Sequence, residues 1–289
     1  MLPARFDYHR PETIDEALAL LDQYGENGKV LAGGQSLIPL MKLRFASPGH
    51  VIDINRIVGL AGIEESGGWL RLGSLTRHNQ VVDSEVVRGR YPVMATAAPL
   101  ISDPIVRNLG TVGGSLAHAD PAGDWGSVML ALGAEVVVRS SSTTRTVQIG
   151  DFLRDTFTTS LEPNELLTEV RVPAPAAGSG GTYLKLERKV GDFATVGVAV
   201  QLSVDDGHIR SAGIALTAVG SMNLRAREAE DSLAGAEPTD EAFATAGRLA
   251  AATAQPASDL RGSAEYKRHV VEVFVRRGLS RALELARAS

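Results

Sequence analysis

The alternation of apolar and polar residues over the first 56 positions predicts a small βαβ-like unit. Thr13 followed by Glu16 three residues later is typical of a helix N-terminus, and apolar residues then recur at helical spacing. Pro39 falls in the first turn of a second helix, where its missing N–H is tolerated. The predicted elements are a strand at 6–8, a helix after Thr13, a strand at 29–32, a short helix capped by Ser36 and a strand at 50–54.

The pattern of apolar and polar positions over residues 57–175 predicts a second unit that contains both strands and helices. An Ala-rich stretch is predicted to stay helical until Pro104, and a glycine-punctuated segment at 107–115 is predicted to be β-like. The predicted strands are 69–73, 134–139, 145–149 and 170–173, and the predicted helices are 76–87, 92–101 and 126–132.

Proline, alanine and glycine fill most of residues 173–181, which indicates a linker or an exposed crossing and the best domain boundary in the chain. We therefore predict two domains, 1–175 and 176–289, the first divided into subdomains of about 1–56 and 57–175. The second domain is predicted to hold a three-stranded antiparallel sheet, with a hairpin turn at 205–208, followed by helices. Its predicted strands are 182–186, 194–204 and 209–219. Its predicted helices are 222–234, 239–254 and 264–277, and residues 279–286 are predicted to continue as amphipathic helix.

Composition narrows the class of protein. The 289 residues are 44% apolar and 22% charged, which predicts a packed globular chain. A net charge of −5 with dispersed Lys and Arg argues against a nucleic-acid partner. No apolar stretch approaches the roughly 20 residues of a transmembrane helix, and no signal peptide is readable, so we predict a cytoplasmic protein. The chain contains no Cys, which excludes disulfides and Cys-bound zinc or iron–sulfur clusters on this chain.

Two glycine pairs are the main candidates for ligand binding. Residues 32–36 follow an apolar strand and open into a helix, and residues 110–115 form the second pair. Glycine lets a phosphate approach backbone N–H groups closely, and a helix N-terminus adds a favourable dipole. The two loops together could therefore hold the two phosphates of a dinucleotide. Each pair taken alone fits a simple tight turn better than a phosphate site, because short glycine motifs often match by accident. Neither pair matches a Rossmann or P-loop motif.

Polar residues downstream of the second pair offer further candidates. Asp120 and Asp124 suit the hydroxyl and amino groups of an adenosine, whereas the alternative is that Asp124 caps a helix and Asp120 forms a turn with Pro121. His118 has no visible partner ligands, which argues against a metal site. Lys185 and Phe193 lie near a strand end, where they could face a flavin, or Phe193 could pack into the core.

Three segments together resemble the FAD-binding medium subunit of molybdenum hydroxylases, of the carbon monoxide dehydrogenase type. They are residues 30–44 with 52–54, residues 105–124, and residues 183–194. The resemblance spans essentially the whole chain. Relatives usually carry Asn in place of Ser115, and often Tyr or Trp in place of Phe193.

The resemblance implies an α+β fold: a vanillyl-alcohol-oxidase-like (PCMH-type) FAD-binding domain of two subdomains plus a C-terminal domain. It implies non-covalent FAD and no catalytic side chain or metal on this chain. The residues it assigns to FAD are Ala32, Gly33, Gly34, Gln35, Ser36, Leu37, Gly110, Thr111, Gly113, Gly114, Ser115, Ala119, Asp120, Asp124, Leu167, Lys185 and Phe193.

The resemblance also implies partners. A large subunit would carry the molybdenum cofactor and a small subunit two [2Fe–2S] clusters, in a dimer of heterotrimers, with electrons leaving through FAD. Two other hypotheses stay open. One is a free-standing FAD-dependent oxidoreductase of the same fold, and the other is a binding or scaffold module that has lost its flavin.

Overall fold

The chain, described over residues 2–288 in a computed structural model, contains three large sheets with their covering helices and one two-stranded hairpin. The first unit has a three-stranded parallel sheet with strand order β1-β3-β2. Its elements are β1 (Asp7–His9), α1 (Ile14–Tyr24), β2 (Gly28–Leu31), α2 (Leu37–Lys42) and β3 (His50–Asp53). The capping box of Thr13 and Glu16 forms as predicted, and Leu18 and Ile52 are fully buried between helix and sheet.

The second unit is built on a five-stranded antiparallel sheet with strand order β4-β5-β10-β6-β7. Its strands are β4 (Ile63–Ser66), β5 (Trp69–Gly73), β6 (Glu135–Arg139), β7 (Thr144–Gln148), the small hairpin β8 (Leu153–Asp155) and β9 (Thr158–Thr159), and β10 (Leu166–Pro173). Its helices are α3 (His78–Asp83), α4 (Glu85–Arg90), α5 (Pro92–Ala97), α6 (Pro104–Leu109), α7 (Val112–His118), α8 (Asp124–Leu132) and α9 (Ile149–Phe152).

Two local predictions in this unit were wrong. Residues 76–87 form two short helices because Ser84 ends α3 and caps α4 through the Val87 N–H. The glycine-punctuated segment 107–115 is helical, with a break at Gly110 between α6 and α7. Asp103 and Thr111 cap these two helices with their side chains, which outweighs the low helix propensity of the glycines.

The third unit begins after a short crossing at 174–178 and contains an antiparallel sheet with strand order β11-β12-β13-β14. The three predicted strands are present, and residues predicted to begin a helix instead add a short fourth strand. The elements are β11 (Ser179–Leu186), β12 (Val196–Asp205), β13 (His208–Thr217), β14 (Leu224–Arg225), α10 (Arg227–Leu233), α11 (Asp240–Thr253) and α12 (Ala264–Ala288). The predicted helix at 264–277 and its predicted continuation at 279–286 form one helix, α12.

The second and third units share a core. Tyr183, Ala199 and Ala215 of the C-terminal sheet belong to the same buried cluster as Trp125 and Met129 of α8. A Cβ on Gly213 would overlap the Ala131 carbonyl oxygen, so α8 lies with its backbone directly on β13. Among residues 2–288, no helix combines the length and apolar character that crossing a membrane requires.

Candidate functional site

The fold brings the two glycine loops into direct backbone contact. A Cβ on Gly33 would overlap the Leu109 carbonyl oxygen and lie 2.8 Å from Gly110 Cα. A Cβ on Gly114 would lie 3.6 Å from the Ala32 side chain. Only glycine permits the first of these contacts, because any side chain at position 33 would push the loops apart. The juxtaposition of the two loops proposed from sequence is therefore present.

The first loop offers a run of free backbone donors. Within the described chain, the N–H groups of residues 33–37 have no protein acceptor, while Ile38 already donates to the Gly34 carbonyl. Gly34 has a φ of +72°, which turns the chain into α2. Ser36 occupies the N-cap position but makes no side-chain cap bond, contrary to prediction, so its hydroxyl is also open. Unpaired N–H groups at a helix start are suited to an anion such as phosphate.

The second loop is different, because its first helical N–H groups already have protein acceptors. Val112 donates to the Thr76 carbonyl at 3.0 Å, Gly113 to the Ser74 carbonyl at 3.0 Å, and Gly114 to Thr111 Oγ1 at 3.0 Å. The expectation that both loops present free N–H groups of this kind is therefore wrong for residues 112–114. A Cβ on Gly113 would lie 2.6 Å from Ser74 Cβ, so this glycine serves close packing. The Ser115 hydroxyl has no partner in the described chain and remains available to a ligand.

His78 packs against the second glycine loop and bonds to its backbone. Its backbone N–H donates to the Gly110 carbonyl at 3.1 Å, and its Nδ1 accepts from Trp125 Nε1 at 3.0 Å. Burial, with smaller contributions from Arg107 and Arg77, lowers the pKa of His78 to about 4. The imidazole is therefore neutral, and because Nδ1 accepts, its proton is assigned to Nε2 beside Gly110. Sequence reasoning missed His78 because no local motif links it to residues 110–115.

Asp124 and Lys185 form a buried ion pair between α8 and β11. Lys185 Nζ lies 3.0 Å from Asp124 Oδ2 and donates to the Leu100 carbonyl at 2.9 Å, while Tyr183 Oη donates to Asp124 Oδ1 at 2.6 Å. Burial raises the pKa of the Asp124 carboxyl, although Lys185 and Tyr183 oppose this shift. The alternative that Asp124 caps its helix is wrong, since Gly123 is the N-cap residue and Asp124 is the first helical residue. Its contact with FAD stays a prediction.

Asp120 forms the turn that the sequence allowed as an alternative. Its Oδ1 accepts from the Ala122 N–H at 2.9 Å, directly after Pro121. Ala119 precedes it in a left-handed conformation with φ of +51°, which ends α7. His118 packs against the Phe157 ring, and burial lowers its pKa. Among residues 2–288, no group of three or more metal-ligating side chains is assembled.

The two remaining candidates lie in different surroundings. Phe193 follows β11 and is 53% exposed, so the alternative that it packs into the core is wrong. Leu167 is buried in β10, next to a register irregularity between β10 and β6. Contacts of Leu167 and Phe193 with FAD stay predictions.

The geometry of the loops fits the pyrophosphate of FAD. The open donors of residues 33–37 suit an anion, and the glycine contacts bring the backbones of the two loops together. In the second loop, the backbone donors at positions 112–114 are already bonded, and the Ser115 hydroxyl is an open donor. The charged ends of Asp124 and Lys185 are paired with each other and with protein groups.

Two family models cover most of the chain. Residues 4–175 match the FAD binding domain in molybdopterin dehydrogenase, and residues 181–282 match the CO dehydrogenase flavoprotein C-terminal domain.

Individual relatives align along nearly their whole length. The chain is 45% identical over 282 residues to the carbon monoxide dehydrogenase medium chain of Hydrogenophaga pseudoflava, covering 98% of both chains. It is 40% identical over 281 residues to the nicotine 6-hydroxylase medium subunit of Paenarthrobacter nicotinovorans, covering 97% of this chain and 98% of the relative. The solved structure of a Hydrogenophaga pseudoflava carbon monoxide dehydrogenase that lacks the Mo-pyranopterin moiety of its cofactor matches with a TM-score of 0.96. That match has 47% identity and covers 98% of this chain and 99% of the other.

Proposed function

Since this chain belongs to the family of FAD-binding medium subunits of molybdenum hydroxylases, of the carbon monoxide dehydrogenase type, we propose that it is the electron-exit subunit of such a complex. FAD, when bound, supplies the redox chemistry that passes electrons to an external acceptor. The chain's own residues bind and orient the cofactor, and the proposal assigns no protein side chain as acid or base.

The observation that carries the proposal is the run of open N–H groups at residues 33–37, held against the second glycine loop. This arrangement can stabilise the charge of a pyrophosphate without a cationic side chain in either loop. We propose that FAD is held non-covalently through the residues assigned from the resemblance. Ser115 and the first loop would contact the phosphates, while Phe193 would lie near the flavin ring.

We further propose that electrons reach FAD from two [2Fe–2S] clusters on a small subunit, and that a large subunit carries the molybdenum cofactor. This chain has no Cys to bind such clusters, so their ligands must come from another polypeptide. Large apolar side chains are exposed on and after α2, beside the first glycine loop: Ile38, Leu43 and Phe45. Exposed apolar groups of this kind are suited to a protein partner. A dimer of heterotrimers and a cytoplasmic location remain parts of the prediction.

The substrate is proposed to be selected by the large subunit. The relatives at 45% and 40% identity are named for carbon monoxide and for nicotine, so similarity to this chain does not separate the two substrates.

The proposal is tested on the native complex with and without flavin. The complex is stripped of FAD, reduced with dithionite under anaerobic conditions and mixed with a quinone in a stopped-flow instrument. We expect reoxidation of the iron–sulfur absorbance to slow at least about a hundredfold without FAD and to recover when FAD is restored. Equal reoxidation rates would refute the electron-exit role. Substrate turnover by this chain without partners would instead favour a free-standing FAD oxidoreductase.

A further inference from the structure

A chain of hydrogen bonds connects the backbone of the first glycine loop to that of the second. Asn55 Nδ2 donates to the Ala32 carbonyl at 2.8 Å, and Asn55 Oδ1 accepts from Arg77 NH2 at 2.6 Å. Arg77 NH1 then donates to the Leu109 carbonyl. Ala32 and Leu109 immediately precede Gly33 and Gly110. The series of hydrogen bonds therefore joins the two loops at the point where they contact each other.

Asn55 is fixed to the first unit. Its backbone N–H donates to Asp53 Oδ1 at 2.9 Å, and its side-chain amide also donates to that oxygen at 2.6 Å. Tyr8 Oη donates to the other oxygen of Asp53. Burial raises the pKa of Asp53, but the bonds from Tyr8 and Asn55 outweigh it and lower the pKa overall. Asp53 is therefore a carboxylate acceptor that holds the Asn55 side chain in one orientation.

Arg77 is fixed to the second unit. Its backbone N–H donates to Gln80 Oε1 at 2.7 Å, and the residue pairs with Thr111 through an isolated antiparallel bridge. The guanidinium is partly desolvated, which lowers its pKa, while Asp53 opposes the shift. A planar guanidinium can donate to two acceptors in a fixed geometry, which a lysine ammonium does not reproduce.

We propose that Asn55 and Arg77 form a clamp that sets the spacing between the two glycine loops, so that a diphosphate can engage both loops at once. The clamp rests on the proposed FAD function and adds two positioning residues to it. Because each loop belongs to a different unit, a ligand that spans them gains affinity when their separation is fixed in advance. A ligand with a single phosphate gains nothing from that spacing.

Two other side-chain pairs connect the same units and provide matched controls. Asn164 Nδ2 donates to Asp22 Oδ1 at 2.9 Å, and Arg139 NH2 lies 2.7 Å from Asp15 Oδ1. Neither pair contacts residues 32–37 or 109–115. Asn164→Ala and Arg139→Met therefore remove one inter-unit contact each by the same substitutions that Asn55→Ala and Arg77→Met use.

The test measures binding of FAD, ADP and AMP to the full chain after its flavin has been removed. Asn55→Ala and Arg77→Met should each weaken FAD and ADP about tenfold or more and leave AMP within about twofold of wild type. The double variant should bind FAD no more weakly than either single variant, because one break already opens the clamp. Arg77→Lys should recover less than half of the lost affinity. Both control variants should bind all three ligands like wild type.

Several results would overturn the clamp. These are wild-type FAD affinity in Asn55→Ala, equal weakening of AMP and ADP, losses that multiply in the double variant, or full rescue by Arg77→Lys. If Arg77→Met unfolds by circular dichroism, Asn55→Ala decides the question, because Asn55 is exposed and its truncation removes no core packing. A wild-type chain that binds no FAD would instead refute the proposed function, and the clamp with it.

Discussion

His78 is a buried residue that contacts the second glycine loop. It is 5% exposed, donates from its backbone to Gly110 and accepts from Trp125. A charged imidazole in this position would lose hydration and face Arg107 and Arg77, the two groups that lower its pKa after burial. The loop is therefore supported by a histidine that must stay neutral.

The depressed pKa of His78 predicts a loss of stability in acid. The folded pKa of about 4 lies below the ordinary value of 6.5, so the unfolded chain binds the proton more readily. The contribution of neutral His78 to the free energy of unfolding is complete above pH 6.5. It falls as the pH drops from 6.5 towards 4, by about 3 kcal/mol in all. Urea unfolding of wild type and His78→Gln at pH 7.5 and 4.5 measures it. The wild type should lose more stability than the variant, whereas exposed His208→Gln should follow wild type. Parallel losses in all three would contradict the prediction.

Gly114 is a second glycine at which a side chain should damage cofactor binding. A Cβ there would lie 2.6 Å from Thr111 Oγ1, the cap of α7, and 3.6 Å from Ala32 of the first loop. We expect Gly114→Val to yield largely flavin-free protein, because the branched side chain displaces the cap and separates the loops. Gly89→Val is the control, since a Cβ at Gly89 meets nothing within 4 Å. Flavin absorbance per purified chain is the readout. Full flavin occupancy in Gly114→Val would refute the assignment of the second glycine loop to FAD binding.

At the scale of elements, α8 and β11 are joined by buried charge as well as by apolar packing. The side chains of Lys185 and Asp124 are 2% and 6% exposed, and Tyr183 completes the carboxylate's hydrogen bonds. The ion pair is costly to desolvate, so it is not by itself a source of stability. Removing one partner, however, leaves a buried group without its counter-ion.

Lys185→Met should therefore destabilise the chain by about 3–5 kcal/mol, because Asp124 stays buried with its charge unpaired. The matched control is Arg281→Met, whose ion pair with Glu284 within α12 is exposed on both sides. That control should change the free energy of unfolding by less than about 1 kcal/mol. Urea denaturation of the flavin-free chains measures both. A loss in Lys185→Met no larger than in the control would show that the pair contributes little to the junction.

Phe193, in the turn between β11 and β12, is predicted to act on the flavin without holding it. The side chain is half exposed and lies outside the three buried clusters. Phe193→Ala should retain FAD, because the pyrophosphate loops are untouched, but should alter the flavin spectrum and its reoxidation by small acceptors. Stopped-flow reoxidation of the reduced complex measures the second effect. An unchanged spectrum together with an unchanged rate would refute the assignment of Phe193 to the flavin site.

Sequence reasoning succeeded where a local rule decides the structure. The capping box at Thr13 and the strands of the C-terminal sheet follow from hydrogen-bond partners and periodicity within a few residues. It failed at 107–115, where capping by Asp103 and Thr111 turned a glycine-rich segment into helix. Asn55, Arg77 and His78 had no signal, because their roles come from contacts between distant segments. The ion pair of Asp124 with Lys185 could not be predicted for the same reason.

At the scale of the whole molecule, the proposed function makes this chain one subunit of an electron-transfer complex. Its C-terminal segment 261–289 carries seven Arg or Lys against three Glu, which the sequence allowed as a solvated face or a subunit contact. In α12 the side chains of Arg276, Arg277 and Arg287 are exposed, while the opposite face packs on the C-terminal sheet. The exposed apolar groups beside the first glycine loop are the stronger candidate for the subunit contact.

Native purification with quantitative analysis of polypeptides, metals and flavin tests the central claim most directly. The account predicts that this chain elutes with a larger and a smaller polypeptide, with one releasable FAD per copy of this chain. Molybdenum and iron should remain with the partners when the subunits are separated. Isolation of this polypeptide without partners, fully active in substrate oxidation or devoid of flavin, would contradict the account.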